Sequence, residues 1–584
     1  MKKSRKIIAL ALALILSLGA LAGCSNNSGT PSTSEPAKEG ETKTEPEKNN
    51  VEQVFSYCER SVVVGLNPIL NTTGPDNGLH HIILETLVTD VADENGNSTI
   101  KPAAAKDWTV SEDGTVYTFN IREDAVWNDG VPVKAQDFVY TYQMMATPSV
   151  GSTNAWLFDG IILNFGESLY NDGKDPKYNK KPEDIGVKAI NDKTLEITLV
   201  KPCAYFLDLL DGAKPIRQDK YEEWGEAYGS SVDKVVTNGP FVVESWDQNT
   251  QMTLVKNEKY WDVKNVKLSK IVRKVIQEPA TAAQALLSGE IDELGTNDPD
   301  WQKTIKEDGR FNLITVPDNA PEFYGFNCAN KYFKNPKIRM AFALGYDRQK
   351  FVDDLRHGMD VPLFSVIPEG TNVGDKPYSE LVKGKNEIIK ELQKKYPDPK
   401  ALLIEGLKEE GLDPDPAKMQ VKLATRGTTE FSKKAGEWML QQWKETLGVT
   451  ITIDMMEWNI MWDKVDAGDY DIATAGWGPY YNDPNGLLSI YDPENGYFDS
   501  KKSGWSGTDA EKFSALLKQA SDETDQQKRA ELLLQAEEIL VGTAVISPTY
   551  VSTINTFLAK KVKGYYVNPH SQLDYTKIYI TDEK

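Results

Sequence analysis

The sequence predicts a mixed α/β fold on three local observations. Asp107-Trp108-Thr109-Val110 and Val116-Tyr117-Thr118-Phe119-Asn120-Ile121 alternate apolar and polar residues on either side of Asp113-Gly114, which is the pattern of a β-hairpin with a tight turn. Val187 to Ile190 and Leu195 to Val200 repeat it around Asn191-Asp192-Lys193. Phe431, Ala435, Trp438, Met439 and Leu447 recur at helical spacing, Gly448 stands where a helix closes, and Val449, Ile451 and Ile453 then alternate as a strand. The Ala-rich stretch 280–292, ending Leu287-Ser288-Gly289-Glu290-Ile291-Asp292, repeats the helix-glycine-strand order. A helix feeding a strand implies a sheet with crossover helices.

Two segments precede this body. Lys2, Lys3, Arg5 and Lys6 lead into an unbroken apolar stretch from Ile7 to Leu16, as in a secretory signal. Leu21-Ala22-Gly23-Cys24 resembles the bacterial lipobox. That resemblance implies a signal peptide over 1–23, diacylglycerol on the Cys24 sulfur, and a protein anchored on the extracytoplasmic face of a bacterial cell membrane without spanning it. An ordinary cleaved signal and a spanning helix are the alternatives; the apolar run falls short of the roughly 20 residues a span requires. From Ser25 to Asn50 the chain is Ser, Thr, Pro, Glu, Lys, Asn and Gly, with no aromatic residue and no aliphatic beyond Ala37, so 24–50 reads as a lipidated, flexible tether.

The body, about Val51 to Lys584, is long enough for two or three domains. Lysine and arginine number 66 against 87 acids, a net charge of −21 with no long basic run, which argues against nucleic-acid binding. Thirteen Trp, 25 Tyr and 18 Phe are enough to line a sizeable pocket as well as a core. Beyond Cys24, Cys58, Cys203 and Cys328 are odd in number and lack metal-like spacing, so neither a disulfide framework nor a zinc site is expected. Of His80, His81, His357 and His570 only the adjacent pair invites a metal. Neighbours on a helix point about 100° apart and rarely share an ion, so no metal and no cofactor is expected.

Motifs spread along nearly the whole body resemble one family, the extracytoplasmic solute-binding proteins of peptide and nickel ABC importers. Pro102-Ala103-Ala104-Ala105-Lys106-Asp107-Trp108, Trp127-Asn128-Asp129-Gly130 and Ala135-Gln136-Asp137-Phe138-Val139-Tyr140 follow its N-terminal signature in order. Thr237-Asn238-Gly239-Pro240-Phe241, Asn257-Glu258-Lys259-Tyr260-Trp261, Ile338-Arg339-Met340-Ala341-Phe342 with Tyr346-Asp347-Arg348, and Gly476-Trp477-Gly478-Pro479-Tyr480-Tyr481-Asn482-Asp483-Pro484 continue it. The likeness is greatest to the oligopeptide-binding branch. It implies a two-lobed, periplasmic-binding-protein-like clamp (type II) with a subdomain inserted in the first lobe. The first lobe would take 51–70, 184–316 and 547–584, the insertion 71–183, and the second lobe 317–546. Two or three strand crossings would form the hinge.

The resemblance also implies site residues. Gly476, Trp477 and Gly478 suit close approach of a ligand backbone beside an indole wall. Trp458 and Trp477 fall at the family's pocket tryptophans, and Phe323, Tyr324 and Tyr550 at cleft positions; core filling is the alternative for each. Tyr480, Tyr481, Asn482 and Asp483 continue the loop. Tyr480 stands where the peptide-binding branch has an acid that grips the ligand's amino group, and Thr72, Val465 and Thr474 stand where an acid or arginines meet ligand termini. Asp483 and Arg426 are candidate substitutes, Asp483 otherwise serving the turn before Pro484. With no charge at Tyr480, N-acetylation of a ligand is expected to cost less than about tenfold in affinity.

No Gly-x-Ser-x-Gly elbow, phosphate loop, His-Glu-x-x-His or cysteine-histidine pair appears, so the chain does not read as an enzyme. The expected role is peptide capture and delivery to an ABC permease and its ATPase subunits, by a monomer. A nickel chelate as ligand, a sensing clamp that signals to a membrane partner, and a hydrolase with paired carboxylates are the alternatives.

Overall fold

A computed structural model describes residues 51–93, 98–494, 496–567 and 573–583. Cys24, the signal and the tether lie outside the described residues, as do His570 and the side chain of Trp458.

The expected hairpins are present. Ala105–Val110 pairs antiparallel with Val116–Ile121, and the turn between them is closed by Gly114 at φ +71° and by the Asp113 carboxylate, which accepts from the Thr115 N–H at 3.1 Å. Val187–Asn191 pairs with Thr194–Thr198, and Thr194–Thr198 pairs in turn with Val116–Ile121, so the two hairpins make one four-stranded sheet. That pairing joins residues 194–198, expected in the first lobe, to residues 116–121, expected in the insertion.

The Glu430–Thr446 helix starts at Thr429, whose hydroxyl accepts from the Ser432 N–H at 3.1 Å, and ends before Gly448 at φ +79°. The strand after it begins at Thr452, later than Val449: Val449 and Ile451 are buried in the connection. The Pro279–Ser288 helix likewise closes on Gly289, and its strand is Glu293–Gly295.

The main sheet is mixed. In spatial order it runs Thr452–Met456, Lys422–Arg426, Ile472–Gly476, Phe311–Phe326, Ile546–Ala559, Glu293–Gly295, Val54–Glu59, Lys270–Val275, Gln251–Lys256 and Phe241–Asp247. Two large hydrophobic cores flank its middle. One is built from residues 323–550, around Phe323, Phe342, Trp443 and Leu533. The other draws on 55–271 and 558–580, around Phe55, Trp127, Phe158 and Ile271, and includes the four-stranded sheet. These are the lobes of a two-lobed clamp, and the body is α/β.

The strands Phe311–Phe326 and Ile546–Ala559 run between the cores, paired from Phe311 against Ala559 to Gly325 against Ile546. Their register breaks between Pro317 and Pro321 and again between Glu322 and Phe323. Proline supplies no N–H to a ladder, so the pairing is weakest where the chain passes from one core to the other.

Candidate ligand-binding site

A cavity of about 550 Å3 is lined by residues of both lobes. The second lobe contributes Pro479, Tyr480, Tyr481 and Asn482, which follow the Ile472–Gly476 strand. From the first lobe come Thr72 and His81 around the Gly74–Ile83 helix, Asp90 of the Val88–Ala92 strand, Trp156, and Asp208 and Asp211 of the segment 206–212. Tyr480 is 59 % exposed and meets the Trp156 ring edge-on at 4.6 Å. Tyr481 stacks flat on Tyr205 at 4.5 Å, and the Asn485 amide donates to both hydroxyls, at 3.0 and 3.3 Å. This tyrosine pair ties the two walls together.

Asn482 is 6 % exposed. Its Oδ1 accepts the Asn372 N–H at 3.1 Å, which settles the orientation of the carboxamide, and among the described residues its Nδ2 has no hydrogen-bond partner. Asp483 turns the other way. Both its oxygens meet Arg529, at 2.5 and 2.8 Å, and one also accepts the Asn485 N–H at 2.8 Å, so its charge ties the loop to the Gln526–Gly542 helix.

Three aspartates and, among the described residues, no lysine or arginine line the cavity. Burial pushes Asp208 up to about 8, with the charges of Asp483 and Asp90 adding to it. His81, 3.3 Å from Asp211, is pushed down to about 4 by burial and is neutral at pH 7. Burial alone would raise Asp211, yet its carboxyl is held low, and with His81 neutral the holding charge is Lys214 at 2.5 Å.

The other expected site residues lie elsewhere. Phe323, Tyr324, Arg426, Thr474 and Tyr550 line a second, more apolar pocket of about 270 Å3. Arg426 is paired there with Glu322 at 2.6 Å, its N–H held by the Thr474 hydroxyl at 2.8 Å. Phe323 and Tyr324 are largely core: Phe323 packs edge-on to Tyr491, and Tyr324 to Tyr346 and Trp443. Tyr550 stacks on Phe351 at 5.5 Å. Val465 is buried among apolar side chains. Trp477 is half-buried against the core built from residues 323–550, its indole N–H donating to the Gly486 carbonyl at 3.1 Å. A Cβ on Gly476 would stand 2.6 Å from the Glu322 carboxylate, whereas one on Gly478 would touch only Ala320, at 3.7 Å. Thr72 sits on the cavity rim with its hydroxyl 2.6 Å from that of Thr153. Asp90, Trp156, Tyr205, Asp208 and Asp211 were not singled out from the sequence. The available signal was Asp208 and Asp211, two acids three apart in the otherwise apolar run Phe206 to Asp211.

A family model described as the bacterial extracellular solute-binding proteins, family 5 middle, matches residues 99–499. The chain belongs to this family. The dipeptide-binding protein DppE of Bacillus subtilis (strain 168) is 31 % identical over 584 residues, 98 % of this chain and 99 % of the relative. The oligopeptide-binding protein OppA of the same organism is 32 % identical over 573 residues, 97 % of each. Among solved structures, the substrate-binding domain of the oligopeptide ABC transporter from Bacillus anthracis str. Ames superposes with a TM-score of 0.67 at 28 % identity, covering 92 % of this chain and 100 % of that one. Like the rest of family 5, the chain is an extracytoplasmic solute-binding protein.

Proposed function

We propose that the chain captures peptides outside the cytoplasm and hands them to an ABC permease and its ATPase subunits, binding its ligand without chemical turnover and acting as a monomer. The observation that carries this reading is the cavity walled by both lobes, because a ligand that touches both stabilises the closed clamp by differential contact. The full-length likeness to peptide-binding relatives supports it. So does an open strand edge: Ile472–Gly476 pairs with Lys422–Arg426 only at Ile472 and Ala473, which among the described residues leaves the backbone running into Trp477 and Gly478 without a strand partner on that side. An extended peptide can add there as a strand, an interaction available to any side-chain sequence. The lobes in this reading follow the expected division, with the insertion running on from Glu183 through the 187–198 hairpin.

Native mass spectrometry of the purified protein tests the function: released peptides support it, and a defined metal chelate overturns it. Trp477→Ala should weaken peptide binding at least tenfold by calorimetry, with unchanged circular dichroism of the unliganded protein. A variant that unfolds without ligand would instead assign this indole to the core. Peptide at 100 times its Kd should stabilise the wild type by about 2.7 kcal/mol through mass action.

We also propose that Cys24 carries a diacylglycerol anchor and residues 25–50 a tether that keeps the clamp near its permease. Cys24→Ala should abolish lipid labelling and move the protein from the detergent to the aqueous phase. Unchanged partitioning would remove the anchor from the account.

A further inference from the structure

We propose that the lobes carry a clasp of their own, in which Tyr205 of the first lobe docks on Tyr481, Asn485 and Arg529 of the second and favours the closed clamp without help from a ligand. The inference goes beyond peptide capture: it concerns what sets the balance between open and closed forms, whatever solute the cavity takes.

The two cores place the contact between lobes. Tyr205 belongs to the first-lobe core, with Cys203 and Phe206. Asn485 begins the Asn485–Leu488 helix, whose leucines lie in the other core, and Arg529 stands on the Gln526–Gly542 helix. Tyr481 crosses over: it follows a second-lobe strand yet packs against the first-lobe core. Its ring lies 8° from the plane of Tyr205, and the Arg529 guanidinium stands 5.8 Å from the Tyr205 ring centre. Tyr205 is only 9 % exposed, so parting the lobes breaks the stack and returns both rings to water.

The receiving side is already held in place. Arg529 is fixed by both Asp483 oxygens and the Ala520 carbonyl, and the Asn485 backbone by Asp483, so little freedom is lost when Tyr205 docks. Among the described residues, Tyr205, Asn485 and Arg529 stand outside the cavity lining, and Tyr481 is the member that reaches it. The clasp therefore closes through contacts between protein groups. Other contacts across the cleft carry less weight. Lys201 meets Asp522 at 3.1 Å, but both side chains are well exposed and such pairs contribute little. The Asn372 amide donates to the Ser98 carbonyl at 3.3 Å, a long hydrogen bond. A ligand enters only when the clasp parts, so the strength of the Tyr205 contact sets how often the cleft is open to it.

Small-angle X-ray scattering of protein shown to be ligand-free by native mass spectrometry tests this. Tyr205→Ser and Tyr481→Ser should each raise the open-to-closed ratio at least about tenfold, through the lost stack and its buried faces, and so enlarge the radius of gyration relative to the wild type. Tyr205→Phe keeps both rings and should scatter as the wild type does. Circular dichroism establishes that each variant is folded. Should Tyr205→Ser fail to fold, Tyr481→Ser removes the same stack from the other lobe and carries the test. Equal radii for the wild type and the folded serine variants would overturn the proposal. No peptide is added, so failure of the clasp and failure of the peptide reading are distinguished.

Discussion

Arg529→Met is expected to lower folding stability by about 3 to 5 kcal/mol, the usual consequence of removing one partner from a buried ion pair. Both side chains are nearly inaccessible, 1 % and 2 % exposed, and the guanidinium meets both Asp483 oxygens. Methionine fills much of the volume but leaves Asp483 charged, desolvated and short of two donors. Arg529 also donates to the Ala520 carbonyl at 3.0 Å and lies over the Tyr205 ring, so the loss reaches the preceding helix and the wall of the cavity. Urea denaturation measures the effect. The double variant Asp483→Asn with Arg529→Met should recover most of it, since the orphaned charge and not the lost contact is the main cost. A single-variant loss below about 1 kcal/mol would show that water reaches Asp483 and that the loop is not held by this pair.

What the sequence made legible is local. The hairpin at Asp113-Gly114 and the helix closed by Gly448 are specified by neighbouring residues, and both formed. The joining of the two hairpins into one sheet was less legible, because the pairing of Val116–Ile121 with Thr194–Thr198 links residues far apart in the chain. Phe323 and Tyr324 show another limit. Adjacent strand residues point to opposite faces, and here both are buried because helices cover the sheet on both sides. Aromatic residues at that spacing therefore did not separate cleft from core. The site depended most on distant contacts: Asp483 read either as a substitute grip on the ligand or as a turn residue before Pro484, and neither reading reveals its partner Arg529, 46 residues on. Asp208 reads as an ordinary helix residue until the fold brings it opposite Tyr481 and Asn482.

The Gln526–Gly542 helix holds the second-lobe wall of the site at two places, Arg529 at the 483 loop and Glu537 at the segment 365–378. Glu537 is fully buried. Its Oε1 accepts from the Ser365 hydroxyl at 2.5 Å and from the Val366 and Ile367 N–H groups at 3.0 and 2.9 Å, and its Oε2 from the Tyr378 hydroxyl at 2.9 Å. Between Ile367 and Tyr378 lies Asn372, whose N–H orients Asn482. Glu537→Ala should cost about 3 kcal/mol or more by leaving these donors unpaired, and should weaken ligand binding through Asn482. Glu537→Gln keeps the acceptor that takes three of the four bonds and presents its amide to the Tyr378 hydroxyl, so at pH 5 it should cost far less. Burial raises the Glu537 carboxyl from 4.5 to about 7. The folded state therefore retains a proton that the unfolded chain releases above pH 4.5, and the stability this contributes is fully present below pH 4.5 and lost as pH rises through 7. Glutamine does not titrate, so between pH 5 and pH 8 the wild type should lose about 2 to 3 kcal/mol relative to Glu537→Gln, at about 1.4 kcal/mol per pKa unit. Urea midpoints for both proteins at the two pH values measure the difference. A constant difference would mean that Glu537 stays ionised throughout, held by its donors against the cost of burial.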